Sequence, residues 1–385
     1  MSRPTYEVAQ LIDRFGEAFI KQYHPNSYTL RTLHALRVCR TSVLGSHLDE
    51  CDSCRKVRIS YNSCRNRHCP KCQAAKQAMW VEDTSERIID TKYFHVVFTV
   101  PEELNTICLL NSKGFYSALF ASVWDTLRTF GYTHYGVESG ALAILHTWGQ
   151  NLSLHPHIHC LVPAAGLTLD GKFKQISKKG KYLHNVKMLS KAFRDNMLKR
   201  LKKQLLDNKD QLRGYQPVID KSWSKEWVVF SEPSFSDAEH VIKYLGQYTH
   251  RVAISNHRIL NVDDRGVSFH YKDYRDQGKV KPTTLSGIEF LRRFCMHILP
   301  RSFVKIRYYG ILSNRHAKKT VLLRKPNPNR PKEKESVHER LKRLTGFDMF
   351  LCPFCKKGQM HTIEILPRIR SPGKFLQPTA KRLVI

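Results

Sequence analysis

Three histidines on alternate residues are the first feature of this sequence that could do chemistry. His155, His157 and His159 lie in the apolar run 148–162. Alternate residues of a β-strand share one face, so a strand here would project the three imidazoles together and the apolar residues between them to the other side. A single histidine is more often an ordinary half-buried side chain. Three in register favour a metal site, because imidazole is the commonest protein ligand for divalent ions.

Paired cysteines form a second group of candidate ligands. Cys51 and Cys54 form one Cys-x-x-Cys turn, and Cys69 and Cys72 form another. Two such turns place four thiolates around a structural zinc ion, whereas chance clustering or a redox pair is the alternative. The same segment holds further possible ligands, which could serve a second ion or simply pack and contact DNA: His47, Cys64 and His68.

A last Cys-x-x-Cys turn, Cys352 with Cys355, supplies only two of the four ligands that a closed zinc site needs. It could take the others from the N-terminal cluster or from the C-terminal region, or be a turn without metal. The candidate partners are Cys64 with His47 or His68, and His361.

Two tyrosines one helical turn apart are the candidate nucleophiles. A capping box at 236–239 predicts the start of a helix, which would place Tyr244 and Tyr248 at positions i and i+4. Their Cβ atoms would then lie about 5–6 Å apart on one face. An aromatic stripe at this spacing is also common in helices that only pack, so the helix by itself leaves core packing open.

The hydrophobic pattern predicts the elements that must position these groups. Helices are expected within residues 1–45 and at 73–88, 112–130, 188–206, 236–248 and 287–298. Strands are expected at 93–101, 141–148, through the histidines, at 227–230, 252–255 and 304–309, and as a pair within 258–271. This order indicates an α+β fold with helices packed on a sheet.

The charge of the chain indicates a polyanionic partner. Among 385 residues, 64 Lys and Arg face 33 Asp and Glu, a formal net charge of +31. Phosphate contacts explain this excess best, and a membrane surface is the weaker alternative. No stretch reaches the roughly 18 apolar residues of a membrane-spanning helix, and the first residues lack the apolar core of a secretory signal. We therefore expect an intracellular, cytoplasmic protein whose thiols are reduced and whose clustered cysteines bind metal.

The motifs together resemble the HUH endonuclease superfamily, specifically its double-tyrosine rolling-circle transposases. The resemblance is carried by His157-Ile158-His159, by Tyr244-x-x-x-Tyr248, and by the cysteine segment 62–72, which looks like the family's N-terminal zinc-binding domain. Segments 94–101, 244–256 and 292–310 are similar to other parts of the family. The order of zinc knuckles, histidine strand and tyrosine helix makes the resemblance specific.

The resemblance implies an antiparallel HUH-type nuclease sheet with flanking helices, an N-terminal zinc-binding domain and a small C-terminal zinc-knuckle region. It implies that Tyr244 and Tyr248 are catalytic and that His157 and His159 hold Mg²⁺ or Mn²⁺. Candidates for the third metal ligand are, in order, His155, His95 and Gln247. The implied partners are single-stranded DNA at insertion-sequence ends, target DNA and a host helicase or replication machinery. The basic residues expected to bind DNA are Arg65, Arg67, Lys243, Arg251, Arg292, Arg293 and Arg307.

These features divide the chain into four regions. Residues 1–85 form a helical and zinc-binding region, 86–260 the nuclease with a basic helical insertion at 167–225, 261–345 a basic extension and linker, and 346–385 the last knuckle and a basic tail. The functional hypothesis is a transposase that cuts and rejoins single strands through phosphotyrosine. A non-enzymatic zinc-finger DNA-binding protein and a replication initiator with the same chemistry remain as alternatives. The sequence has no Gly-rich phosphate-binding loop with Gly-Lys-Ser/Thr, so we do not expect a fused helicase.

Overall fold

The computed structural model describes residues 4–176, 183–206, 209–232, 246, 252–324 and 335–368. Within them the chain has the predicted α+β fold with antiparallel sheets. The helices are α1 Val8–Tyr23, α2 Ser27–Arg37, α3 Ala74–Ser85, α4 Asn105–Leu110, α5 Ser112–Tyr135, α6 Val186–Leu205, α7 Lys209–Ser224, α8 Gly287–Met296, α9 Ala317–Thr320 and α10 Val337–Thr345. The strands are β1 Ser46–Cys51, β2 Val57–Tyr61, β3 Tyr93–Thr99, β4 Gly140–Trp148, β5 Leu154–Pro163, β6 Ala165–Leu167, β7 Phe173–Gln175, β8 Val229–Glu232, β9 Ile259–Asp263, β10 Gly266–Asp273, β11 Lys279–Leu285, β12 Ile306–Gly310 and β13 Met360–Leu366.

A five-stranded antiparallel sheet in the order β12-β4-β5-β3-β8 lies at the centre of the fold. One face is apolar and packs on α5 and α6, with Phe98, Ile158 and Cys160 among its fully buried residues. Strands buried on one face alternate in this way because successive side chains point to opposite sides. The alternation leaves the histidines of β5 on the opposite face.

The N-terminal helices pack against a second, three-stranded sheet in the order β11-β10-β9 and against α8. Leu11 of α1, Phe269 of β10 and Phe290 of α8 are completely buried in this second core. The backbone N–H of Val8 also donates to the side chain of Asn256. The first helices are therefore joined to a part of the chain some 250 residues later.

The C-terminal part of the described chain returns to the N-terminal zinc segment. β13 pairs with β1 in a three-stranded sheet of order β13-β1-β2. In α10, Arg340 and Arg343 form ion pairs with Glu82 of α3, with N–O distances of 2.6 and 2.7 Å. Segments that we assigned to different regions by sequence thus share sheets and ion pairs, and β12 is likewise an edge strand of the central sheet.

One predicted strand is not present in the fold, and several elements were not predicted, among them α7, α10, β1, β2, β11 and β13. Residues 252–255 are not a strand, because Ala253 and Ile254 are buried among the N-terminal helices and α8, away from the central sheet. The helix α7 was not predicted, since Gly214 and Pro217 obscure its periodicity. The predicted helix at 236–248, apart from Gly246, most of the linker 326–336 and most of the tail after Arg368 lie outside the described residues. Within the described part of the chain, no helix has the length and apolar character needed to cross a membrane.

Candidate active site and zinc centres

The histidine strand β5 occupies the centre of the five-stranded sheet, between β4 and β3. His157 pairs with His146 of β4 and with Thr99 of β3, and His159 pairs with Ile144 and Val97. The buried Ile158 and the other intervening residues point into the apolar core with α5 and α6. His157 and His159 therefore share the face that the alternation predicted.

A third histidine joins them from the neighbouring strand. One ring nitrogen each of His146, His157 and His159 lies within 4.8 Å of the others. The rings of His146 and His159 are nearly perpendicular, with centroids 4.8 Å apart. His146 was not among our candidate ligands. The sequence did show His146 on the predicted strand 141–148. It could not show that His146 lies opposite His157, because the pairing register of two strands depends on the tertiary structure.

His155, our first candidate for the third ligand, has a different role in the structure. Its side chain is exposed near the start of β5 and is outside the group of three. Its backbone carbonyl lies 2.7 Å from Nδ1 of His157. Because a carbonyl can only accept, Nδ1 of His157 carries the proton, and the lone pair is on Nε2. The structure thus brings His146 rather than His155 into the group.

His95, our second candidate, orients His159. Nε2 of His95 lies 3.0 Å from Nδ1 of His159, and Nδ1 of His95 lies 3.4 Å from a carboxylate oxygen of Glu232 on β8. The carboxylate fixes the proton of His95 on Nδ1, so Nε2 of His95 accepts from His159. This leaves the lone pair of His159 on Nε2, the arrangement by which a carboxylate and a histidine orient a metal ligand. Gln247, the third candidate, lies outside the described residues.

Burial keeps these imidazoles neutral. It lowers the pKa of His157 to about 4 and that of His159 well below its usual value, with the neighbouring histidines adding to the effect. The pKa of His95 is also lowered by burial, against the opposing influence of Glu232. Neutral imidazole is the form that binds metal. A set of three imidazoles suits a divalent transition ion more readily than Mg²⁺, which prefers oxygen ligands.

The tyrosine segment is represented in the structure by Gly246, since Tyr244 and Tyr248 lie outside the described residues. Gly246 is buried, and a Cβ atom at this position would lie 2.3 Å from Cγ2 of Val81 on α3. Val81 packs on a cluster that includes Leu142 and Leu161. Those residues belong to the histidine face of the sheet, by the same alternation as His146 and His159.

The first zinc centre combines Cys39 with three cysteines of the knuckle segment. Each of Cys39, Cys64, Cys69 and Cys72 places its sulfur within 4.8 Å of the others. Three of the Sγ–Sγ distances are 3.6, 3.6 and 3.8 Å. A tetrahedron with zinc–sulfur bonds of about 2.3 Å has edges of about 3.8 Å. The cluster therefore has the dimensions of a structural zinc site.

The second zinc centre joins the two ends of the described chain. Cys51 and Cys54 meet Cys352 and Cys355, with Sγ–Sγ distances of 3.7 Å for Cys51–Cys355 and for Cys54–Cys352. Backbone N–H groups of Cys54 and Gly358 lie 3.4 Å from the sulfurs of Cys51 and Cys355. Such hydrogen bonds stabilise thiolates, as zinc binding requires.

The cysteine groups differ from those expected from the sequence in three ways. We placed the Cys51 pair and the Cys69 pair in one site, but they lie in two. The last knuckle is completed by Cys51 and Cys54 instead of Cys64 with a histidine, and Cys39 was not considered. Neither cluster includes His47, His68 or His361. Nε2 of His47 lies 3.7 Å from a carboxylate oxygen of Asp49, and Nε2 of His361 lies 3.5 Å from a carboxylate oxygen of Asp52.

Comparison with known proteins assigns the chain to a family. It is 40% identical to "Putative transposase y4qJ" of Sinorhizobium fredii (strain NBRC 101917 / NGR234) over an alignment of 397 positions, gaps included, that covers 97% of this chain and 99% of that protein. The chain belongs to this transposase family. It is also 28% identical to the transposase for insertion sequence element IS801 of Pseudomonas savastanoi pv. phaseolicola, over 87% of this chain and 84% of that protein.

Two domain families match separate parts of the transposase. Residues 140–320 match the family described as "Putative transposase", and residues 11–100 match the "Transposase zinc-binding domain". The resemblance to rolling-circle transposases with an N-terminal zinc-binding domain is thereby confirmed. No solved structure matches the chain.

The basic residues that we expected to contact DNA have different environments in the transposase. Arg65 is exposed beside the first zinc centre. Arg67 is half-buried and donates to the carbonyls of Phe303 and Pro300. Arg292 and Arg293 both pair with Glu289, which offsets part of their charge. The guanidinium carbon of Arg307 lies 4.1 Å from the centre of the Phe120 ring. Lys243 and Arg251 are outside the described residues.

Proposed function

We propose that this transposase cuts and rejoins single-stranded DNA through 5′-phosphotyrosine intermediates. The observation that carries the proposal is the group of His146, His157 and His159 on one sheet face, with the tautomers of His157 and His159 set by the His155 carbonyl and by His95. Such a group is suited to bind a divalent ion, which would polarise the scissile phosphate and offset charge on its oxygens.

Tyr244 and Tyr248 are the proposed nucleophiles. Gly246, which separates them in sequence, packs on Val81 beside the histidine face, and this supports a position of the tyrosine segment over that face. In each cleavage the phenol oxygen would form a bond to phosphorus as the bond from phosphorus to the 3′ oxygen breaks. The phenol loses its proton and the 3′ oxygen gains one. Because one phosphate ester replaces another, the reverse reaction rejoins DNA without an external energy source.

Two nucleophiles allow two linked transfers. One tyrosine would cut the donor end and hold its 5′ phosphate, and the other would cut the target. Each freed 3′ hydroxyl could then attack the opposite phosphotyrosine. Single-stranded insertion-sequence ends, target DNA and a host helicase are the partners proposed for this cycle in the cytoplasm. The net charge of +31 would bind the DNA backbone.

The experiment incubates the protein with a labelled single strand from the end of its own element and Mn²⁺. We expect an SDS-resistant protein–DNA adduct from the wild type and none in EDTA. Tyr244→Phe or Tyr248→Phe alone should leave some cleavage but block strand transfer, and the double variant should form no adduct. Phenylalanine removes the attacking oxygen and keeps the ring, so thermal stability should be unchanged. An adduct from the folded double variant, or none from the wild type, would refute the proposal.

A further inference from the structure

A small basic cavity lies where the first zinc segment, the end of β4 and the connection from α8 to β12 meet. Its volume is about 20 Å³, which is room for one water-sized group and too little for a nucleobase. The residues that line it are Arg67, His68, Trp148, Val252, Ala253, Phe294, His297, Ile298, Leu299 and Lys305.

The cavity has cationic side chains and, among the described residues that line it, no acidic one. Lys305 is half-buried, and its ammonium group forms no ion pair with any residue that the structure describes. Burial, together with the nearby guanidinium of Arg67, lowers the pKa of Lys305 to about 8. A partly desolvated cation without a counter-charge is unfavourable in the free protein. The charge distribution therefore suits a bound anion.

The hydrogen bonds of the lining residues show which groups can still donate. Arg67 uses its two terminal nitrogens on the carbonyls of Phe303 and Pro300. His297 lies between the carbonyl of Leu152 and the hydroxyl of Thr147, so both of its ring nitrogens are used.

The groups that remain for a ligand are Nε of Arg67, which is buried without a hydrogen-bond partner among the described residues, and the side chains of His68 and Lys305. His68 is only 9% exposed, and its Nε2 has no hydrogen-bond partner among the described residues. Lys305, the residue before β12, contributes an ammonium group. These two side chains come from segments that are more than 200 residues apart, so only the folded protein presents them together.

The position of the cavity relates it to the histidine group. The ring of Trp148, which lines the cavity, stacks on the ring of His146 with centroids 4.9 Å apart. Val252 and Ala253, on another side, follow Tyr248 closely in sequence. The cavity and the histidine group are therefore connected through the ring of Trp148.

We propose that this cavity binds one backbone phosphate of the single strand, next to the phosphate that is cut, with a non-bridging oxygen held by Lys305 and His68. The inference rests on the proposed function. One fixed phosphate beside the scissile one would set the position of the strand along the site. Phosphate contacts position a nucleic acid without reading its sequence, so this contact is expected to be the same for every substrate.

The experiment compares Lys305→Met with Lys113→Met, a control at an exposed lysine of α5 on the other side of the central sheet. Binding of a fluorescein-labelled 20-nucleotide single strand of random sequence is measured from low to high salt. Each lost phosphate contact lowers the slope of log K against log salt by about 0.7 for single strands. We expect this decrease for Lys305→Met and none for Lys113→Met. His68→Phe removes an uncharged imidazole, so it should weaken binding at every salt concentration and leave the slope unchanged.

Thermal unfolding separates binding from folding. Removing an uncompensated cation should leave the melting temperature of Lys305→Met equal to that of the wild type or raise it. An unchanged salt slope, or a loss of affinity that comes with a lower melting temperature, would overturn the inference. Adduct formation is measured on the same proteins. If the slope changes as expected but the double tyrosine variant still forms an adduct, the cavity is retained and the proposed chemistry fails.

Discussion

Nε2 of His95 lies 3.0 Å from Nδ1 of His159, across the pairing of β3 with β5, and the two rings are parallel to within 3°. Glu232 on β8 is the next member of this chain of contacts, at 3.4 Å from Nδ1 of His95. Three adjacent strands thus each supply one group. Glu232 and His95 thus orient His159, a candidate metal ligand, through its Nδ1 atom, and their effect on metal affinity can be measured.

Replacing His95 should weaken metal binding without unfolding the protein. His95→Phe fills the same buried space but cannot accept the proton of His159, so we expect the affinity for Mn²⁺ to fall about 10–100-fold. His95→Gln, whose amide oxygen can accept, should recover part of the loss. Mn²⁺ titration followed by electron paramagnetic resonance measures both. A role in packing alone predicts that the phenylalanine variant binds Mn²⁺ as the wild type does.

His146 and His155 offer a direct comparison of the observed and the expected third ligand. His146→Ala should abolish cleavage and sharply reduce Mn²⁺ affinity, because His146 lies within the group of three. His155→Ala removes an exposed ring but keeps the carbonyl that fixes His157, so cleavage should stay within several-fold of the wild type. If His155→Ala abolished cleavage and His146→Ala did not, His155 would be the third ligand instead of His146.

The two cysteine clusters predict two zinc ions per chain. Elemental analysis should find about one ion in Cys39→Ser and about one in Cys352→Ser, since each variant opens a different site. Cys51→Ser with Cys54→Ser should also lose one ion and bind terminal DNA less tightly. Cys108→Ser, at a buried cysteine outside both clusters, is the control and should keep two. Loss of both ions in Cys51→Ser with Cys54→Ser, from a protein that stays folded, would contradict two independent sites.

Acid should destabilise the protein in part through His297. Burial lowers the pKa of this histidine from 6.5 to about 4. Between these values the unfolded chain takes up a proton that the folded chain does not. The stabilising contribution is therefore complete above pH 6.5 and is lost as the pH falls towards 4, by about 3 kcal/mol at most.

His297→Gln tests this dependence, because an amide can keep a donor towards the Leu152 carbonyl and an acceptor for Thr147. Urea unfolding at pH 7 and pH 4.5 should show that the wild type loses about 2–3 kcal/mol more than the variant between the two values. Parallel losses in the two proteins would show that His297 does not account for the acid sensitivity.

The amino-acid sequence by itself determined the local features of this transposase. Apolar alternation placed His157 and His159 on one face of a strand, and helical periodicity located helices such as α5 and α6 within a few residues. The spacing of the Cys-x-x-Cys turns identified metal-binding knuckles. These properties depend on residues a few positions apart, because a strand repeats every two residues and a helix about every 3.6.

Only the tertiary structure decided which distant groups meet. Cys51 joins Cys355, and His146 faces His157, because strand register and the return of β13 to β1 bring them together. A Cys-x-x-Cys turn has the same local form whichever second pair completes its site, so spacing could not choose between partners. His155 fits the alternation as well as His157 does, yet its place near the strand end leaves its ring exposed. Pairings of this kind are set by packing across hundreds of residues, which no local pattern encodes.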